Sequence, residues 1–157
     1  MSPNYRLAMT YPTAATRDMT APTGKVWALV TDLPRMGEWS PENAGGKWVK
    51  GATGPALGSV FQGTNKNGIR RWTTNATIIA CEPNKLFEFA VTTGPLAVAT
   101  WRYEFEATDA GCRVTESWVD QRKRWFAILA RVAGDHSAAH AEKEMAATLG
   151  NLAAAVE

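Results

Sequence analysis

Residues 98–120 read VATWRYEFEATDAGCRVTESWVD. The two arms on either side of Asp109-Ala110-Gly111 alternate with a period of two, so Trp101 and Tyr103 share one face, as do Val114, Glu116 and Trp118 across the turn. That period on both sides of a glycine-bearing turn predicts an antiparallel hairpin with one buried face. The alternation extends back to Gly46 and sets expected strands at 46–50, 58–65, 70–81, 85–93, 98–107 and 112–120. Between them stand Gly51 to Gly58, Lys66-Asn67-Gly68, Glu82-Pro83-Asn84 and Thr93-Gly94-Pro95, all rich in the residues that tight turns require. Such spacing predicts a meander.

Helical signals flank the meander. Thr13 to Thr20 reads as a first strand, and Pro22 suits the first turn of a short helix carrying Val26, Trp27, Leu29 and Val30. Asp32 and Pro34 open a second short helix through Met36 and Trp39, which Ser40-Pro41 stops. Beyond Asp120, the basic residues Arg122, Lys123 and Arg124 begin a stretch with Trp125, Leu129 and Val132 on one stripe, interrupted at Gly134. From Asp135 onward, Ala138, Ala141, Met145, Leu149, Leu152 and Val156 recur at spacings of three and four. They predict a helix roughly 30 Å long with one apolar face. A twisted sheet buries a single face by curling over something, and this helix alone is long enough to be gripped. The expected fold class is α+β: a seven-stranded antiparallel curved sheet around a long C-terminal helix, with two short helices between strands one and two. Residues 1–157 are expected to form one domain.

Composition excludes several functions. The chain has 157 residues, 45% apolar and 20% charged, and its net charge of +2 is spread over interleaved acids and bases. It lacks the basic field of a nucleic-acid binder. Met1 to Tyr11 has neither the apolar run of a signal peptide nor that of a membrane span, so a cytoplasmic location with no integral membrane segment is expected. Cys81 and Cys112 form no CxxC pair and are expected to be reduced thiols. No nucleophile motif and no phosphate-cradling glycine loop is present, so no cofactor is expected. Trp125 and Phe126, directly after Arg122 to Arg124, would suit a lid in transient contact with a membrane.

The chain also resembles the START-like, helix-grip superfamily known as SRPBCC, within it the polyketide cyclase/dehydrase-like branch. The residues that carry the resemblance are Ala21-Pro22 with Lys25 to Asp32, Met36 to Glu42, Glu82-Pro83, Trp101 to Phe105 and Gly111 to Trp118. It implies a hydrophobic-ligand-binding domain but no catalytic motif that transfers residue by residue, because the superfamily includes cyclases, lipid carriers and hormone receptors.

Seven tryptophans are many for this length. Parity directs Phe61, Trp72, Thr74, Phe87, Phe89, Trp101, Tyr103 and Trp118 inward, and with Trp39 and Met145 they are expected to border a cavity for a drug-sized apolar molecule. Taken one at a time, the same residues would fit a plain hydrophobic core. Glu116 shares their face. A carboxylate there must be paired, hydrated or protonated, and Arg70, Arg71, Arg113 or the basic helix start are its possible partners. His136 and His140 stand one helical turn apart, a spacing that can present two imidazoles to one metal. With only Asp135, Glu142 and Glu144 beside them, a solvated helix face accounts for the group, and no metal is expected. The expected function is binding or carrying a small, largely apolar molecule such as a lipid or polyketide-like compound. The alternatives are a cyclase/dehydratase-type enzyme using Glu116, Tyr103 or Arg71 for proton transfer or enolate stabilisation, and a protein-interaction module with an exposed apolar groove.

Overall fold

The computed structural model describes residues 10–132 and 138–157. Seven strands, β1 (Thr13–Met19), β2 (Asn43–Val49), β3 (Val60–Asn67), β4 (Arg70–Glu82), β5 (Leu86–Thr93), β6 (Leu96–Thr108) and β7 (Gly111–Asp120), form one sheet in the order β1-β7-β6-β5-β4-β3-β2. Every neighbouring pair is antiparallel. Six strands therefore pair in chain order and β1 closes onto the last, as a chain of short turns dictates. Helix α1 (Thr23–Thr31) and a 3-10 helix (Leu33–Glu38) lie between β1 and β2, while α2 (Arg124–Val132) and α3 (Ala138–Val156) follow the sheet. Asp135 and Gly134, expected at the break before the long helix, lie outside the described residues.

The boundaries differ from expectation where backbone geometry takes over from pattern. The second short helix is 3-10 rather than α, with Pro34 in its first turn. β2 begins three residues early because a register shift between Asn43 and Gly46 lets its first residues pair with Asn65 before the regular ladder starts. Gly46 permits this: a Cβ there would overlap the Gln62 carbonyl oxygen and lie 2.8 Å from the Phe61 ring. Such a bulge bends its strand and sharpens the twist.

The concave face is filled unevenly. At one end α1 and the second half of α3 pack Val26, Val30, Leu149, Leu152, Ala153 and Val156 against Phe87, Phe105, Cys112 and Val114. Trp27 stands edge-on to Phe87 and Phe105, with ring centroids 5.9 and 5.3 Å away. Phe87, Leu149 and Leu152 are among the fully buried side chains, each contributing about 1.5–3 kcal/mol by burial. On the convex face Glu88, itself buried, accepts hydrogen bonds from Tyr11 at 2.8 Å and Arg102 at 3.1 Å, which ties the start of the described chain to the sheet. Cys81 and Cys112 are free thiols. No described helix is long and apolar enough to cross a membrane.

Candidate functional site

Where α1 does not reach, the concave face is left open and encloses a cavity of about 210 Å³. Phe61 from β3, Trp72 and Thr74 from β4, Phe89 from β5, Trp101 and Tyr103 from β6, and Glu116 and Trp118 from β7 all line it. Period-two alternation puts them on one face, and register sets their heights: Trp101 lies opposite Trp118, and Tyr103 opposite Glu116. The paired indoles approach to 6.4 Å between ring centroids.

Trp39, Phe87 and Met145, expected at the cavity, are core residues. Phe87 points inward, but at the end that α1 covers. Trp39 is buried beneath α3, where Asn151 Nδ2 donates to its carbonyl oxygen at 2.8 Å. Met145 is fully buried one layer behind the cavity, against Ala99, Trp118 and Ala141. Arg71 is exposed on the other face of β4 and cannot act on a molecule in the cavity. Parity assigns a face but not a depth along the sheet, so it could not separate the filled end from the hollow one.

Among the described residues Glu116 has no arginine partner. Arg70 and Arg71 are exposed, and Arg113 is held on the surface by Asp18 at 2.7 and 3.1 Å. The partner of Glu116 is Tyr103, whose hydroxyl donates to Oε1 at 2.6 Å. Glu116 is only 2% exposed, and its Oε2 is buried without a hydrogen-bond partner among the described residues. Burial pushes the carboxyl up to about 8; the Tyr103 hydrogen bond opposes this, and the charge of Glu144 adds to it. Burial, reinforced by Glu116, also holds the Tyr103 hydroxyl well above its ordinary value. At neutral pH the pair is therefore a phenol donating to a protonated carboxyl, whose remaining O–H is directed to no acceptor among the described residues.

The other side of the cavity is polar. Ser40 and Glu42 reach it from the loop after the 3-10 helix, Asn43 from the start of β2, Asn65 from β3, Arg122 from beyond β7, and His140, Glu144 and Thr148 from α3. His140 Nε2 lies 2.7 Å from Glu42 Oε1 and 4.0 Å from Glu144 Oε1. Arg122, its side chain 4% exposed, meets Asp120 through Nε at 2.9 Å and Nη2 at 2.7 Å. Asn65 donates to Thr74 Oγ1 at 2.9 Å. Of the residues considered around the histidine pair, Glu144 turns to His140 while Glu142 is exposed, and His136 and Asp135 lie outside the described residues. Sequence reasoning used Glu42 only as the end of the Met36 to Glu42 segment and did not place it at the cavity; it is 98 residues from His140, and no spacing connects the two.

A curved antiparallel sheet gripping a terminal helix around an aromatic-lined cavity defines the helix-grip class of ligand-enclosing proteins. Within that class the chain belongs to the family described as polyketide cyclase / dehydrase and lipid transport, whose model matches residues 13–157. A polyketide-cyclase-like protein of Corynebacterium glutamicum is 31% identical, with 91% of this chain and 85% of that one covered at a TM-score of 0.53. The di-domain ARO/CYC BexL of the BE-7585A biosynthetic pathway shares the fold at 20% identity and a TM-score of 0.67, covering 92% of this chain and 49% of that one. A protein of Chromobacterium violaceum does so at 12% identity and a TM-score of 0.68, covering 93% and 99%. No curated protein matches the chain.

Proposed function

We propose that the protein binds a small, largely apolar molecule, lipid or polyketide-like, that carries a carbonyl or hydroxyl oxygen. The observation that carries this reading is the buried carboxyl of Glu116, with an unpartnered Oε2 among aromatic walls. A protonated carboxyl offers an O–H donor, and leaving it unmade in an apolar site costs about 1–3 kcal/mol. A ligand oxygen placed there recovers that energy while its apolar body covers Trp101, Trp118 and Phe89. The cavity, about 210 Å³, exceeds the roughly 150 Å³ that accommodates benzene but falls below the roughly 300 Å³ at which drug-sized pockets begin. A ligand of one or two rings fits inside, and a longer one extends through the polar opening. Family membership supports the same chemistry.

A second reading is favoured by one specific observation: the Glu116 carboxyl, pushed up to about 8, exchanges its proton near neutral pH. In a cyclase-type reaction the enol form of one carbonyl would add to the carbon of a second; Glu116 would give its proton to the oxygen of that second carbonyl as its C=O double bond opens, and the enol O–H proton would return to the Glu116 carboxylate, which Tyr103 stabilises in between. Binding is common to both readings, so it is tested first. Native mass spectrometry of freshly purified protein should show a retained small molecule, and an apolar fluorescent probe should bind with quenching of tryptophan emission. If no apolar probe binds, both readings fall. Turnover of the identified ligand then separates enzyme from carrier.

A further inference from the structure

We propose that the end of the molecule where the cavity opens is a docking surface for an anionic lipid bilayer. Register brings three stretches of chain to that end of the sheet: the β3–β4 tip beyond the Asn65–Trp72 pair, the β5–β6 tip beyond the Val91–Ala99 pair, and the start of α2 just past the Ala99–Asp120 pair. Asn65, Trp72, Val91, Val98 and Arg122, which belong to these same stretches, line the cavity. The Gln121 amide donates to the Val98 carbonyl oxygen at 2.9 Å and so ties the second stretch to the third. Mouth and tips therefore share one end of the molecule.

The composition of the three stretches sets that end apart. Residues 64–73 and 121–132 contain several bases and no acid, and residues 91–100 contain no charged residue. Lys66, Arg70, Arg71, Lys123 and Arg124 are exposed. The acids at the mouth, Glu42, Glu144 and Asp120, are turned to His140 and Arg122, which line it. At the opposite end of the sheet both signs mix, with Glu82, Glu106 and Asp109 exposed beside Lys50 and Lys85. Among the described residues, four of the five exposed large apolar side chains stand with the cations at the open end. Ile69 is wholly exposed at the hairpin tip next to Arg70, and Trp125, Ile128 and Leu129 are 54%, 52% and 60% exposed on α2. The last three fall at i, i+3 and i+4, which puts them on one face of the helix. Apolar anchors interleaved with cations fit a bilayer interface: the anchors enter the acyl boundary while the ammonium and guanidinium groups stay with anionic headgroups. A folded protein partner would need a separate pocket for each protrusion, whereas a fluid interface accommodates both at once. Docking is independent of the ligand reading; where that reading also holds, an apolar molecule dissolved in the bilayer enters the cavity without crossing water.

The test is sedimentation of tag-free, full-length protein with sucrose-loaded vesicles of phosphatidylcholine, either alone or with about a quarter phosphatidylserine. Binding is expected only with phosphatidylserine, and it should weaken in about 0.5 M salt, which screens the headgroup charge. Ile69→Ser should weaken partitioning at least about threefold by removing one anchor. Arg70→Glu/Arg71→Glu should weaken it roughly fivefold or more for each cation lost. These side chains are exposed, so both variants should keep the parent's melting temperature within a few degrees and its affinity for an apolar fluorescent probe in vesicle-free buffer. That probe titration tests the cavity separately from the surface. Equal sedimentation of the parent with both vesicle types overturns the proposal, as does parent-level binding by both folded variants. So does binding to a soluble polyanion such as heparin that equals binding to vesicles and is untouched by Ile69→Ser, since charge alone would then act.

Discussion

Replacing Glu116 by Gln should make the protein more stable at alkaline pH and leave it nearly unchanged in mild acid. Burial raises the carboxyl from its ordinary 4.5 to about 8. Between those values the folded chain holds a proton that the unfolded chain has released, so stability falls as pH rises. The slope is about 1.4 kcal/mol per pH unit, and the total, reached above pH 8, is on the order of 5 kcal/mol. The amide of the Glu116→Gln variant cannot ionise, and its oxygen still accepts the Tyr103 hydroxyl, so the slope disappears. At about 2–4 °C per kcal/mol for a chain of this size, the full term corresponds to a difference on the order of 10 °C. Water entering the cavity lowers the cost of ionisation, and a rise of several degrees at pH 8.5 is the expected reading. Melting temperatures of both proteins at pH 4.5 and 8.5 provide the measurement, and the variant-minus-parent difference cancels every other titrating group. A Gln variant that is less stable than the parent by the same amount at both pH values would refute the reasoning, since it would mean an ionised carboxylate held by a partner.

Two further outcomes follow from the cavity and its surroundings. Gly63 lines the cavity, and a Cβ there meets the Phe61 ring at 3.6 Å and Thr74 Oγ1 at 4.0 Å, which is ordinary contact. Gly63→Leu should therefore fold with a melting temperature within a few degrees of the parent and weaken an apolar probe about tenfold or more; unchanged affinity in a fluorescence titration would place the probe outside the cavity. On α2, Trp125, Ile128 and Leu129 are exposed beside Lys123 and Arg124, the arrangement of a helix that rests on an anionic bilayer. Trp125→Ser with Ile128→Ser should reduce sedimentation with phosphatidylserine vesicles while leaving the probe in the cavity; equal sedimentation would remove α2 as the contact.

Most of the fold was legible because two periods dominate this chain. The alternation from Gly46 to Asp120 contains no competing helical stripe, and each break carries Gly, Pro or Asn, so strand number and pairing order follow from the turns. The pairing of Tyr103 with Glu116 was implicit in the same pattern, since the turn at Asp109-Ala110-Gly111 sets the register between their strands. The nature of the second short helix and the early start of β2 were not legible. Both depend on local backbone geometry that no side-chain period records.

The polar end of the cavity was hidden for a different reason. His140 and Glu144 show the spacing of any solvated helix face, and Glu42 sits in a short loop with no pattern of its own. Backbone contacts at small residues bring them together. A Cβ on Gly37 would lie 2.8 Å from the Asn43 carbonyl oxygen, so only glycine lets the 3-10 helix rest on the start of β2. Asn43 Oδ1 then accepts from the Gly45 amide at 2.7 Å, which tightens the bend that the bulge before Gly46 begins. Those contacts carry Glu42 over the mouth of the cavity to His140. The glycines at 37 and 46 therefore act through position alone: they bring Glu42 to the i, i+4 pair of His140 and Glu144, so that one oxygen or nitrogen of each lies within 4.8 Å of the others at the polar end of the cavity.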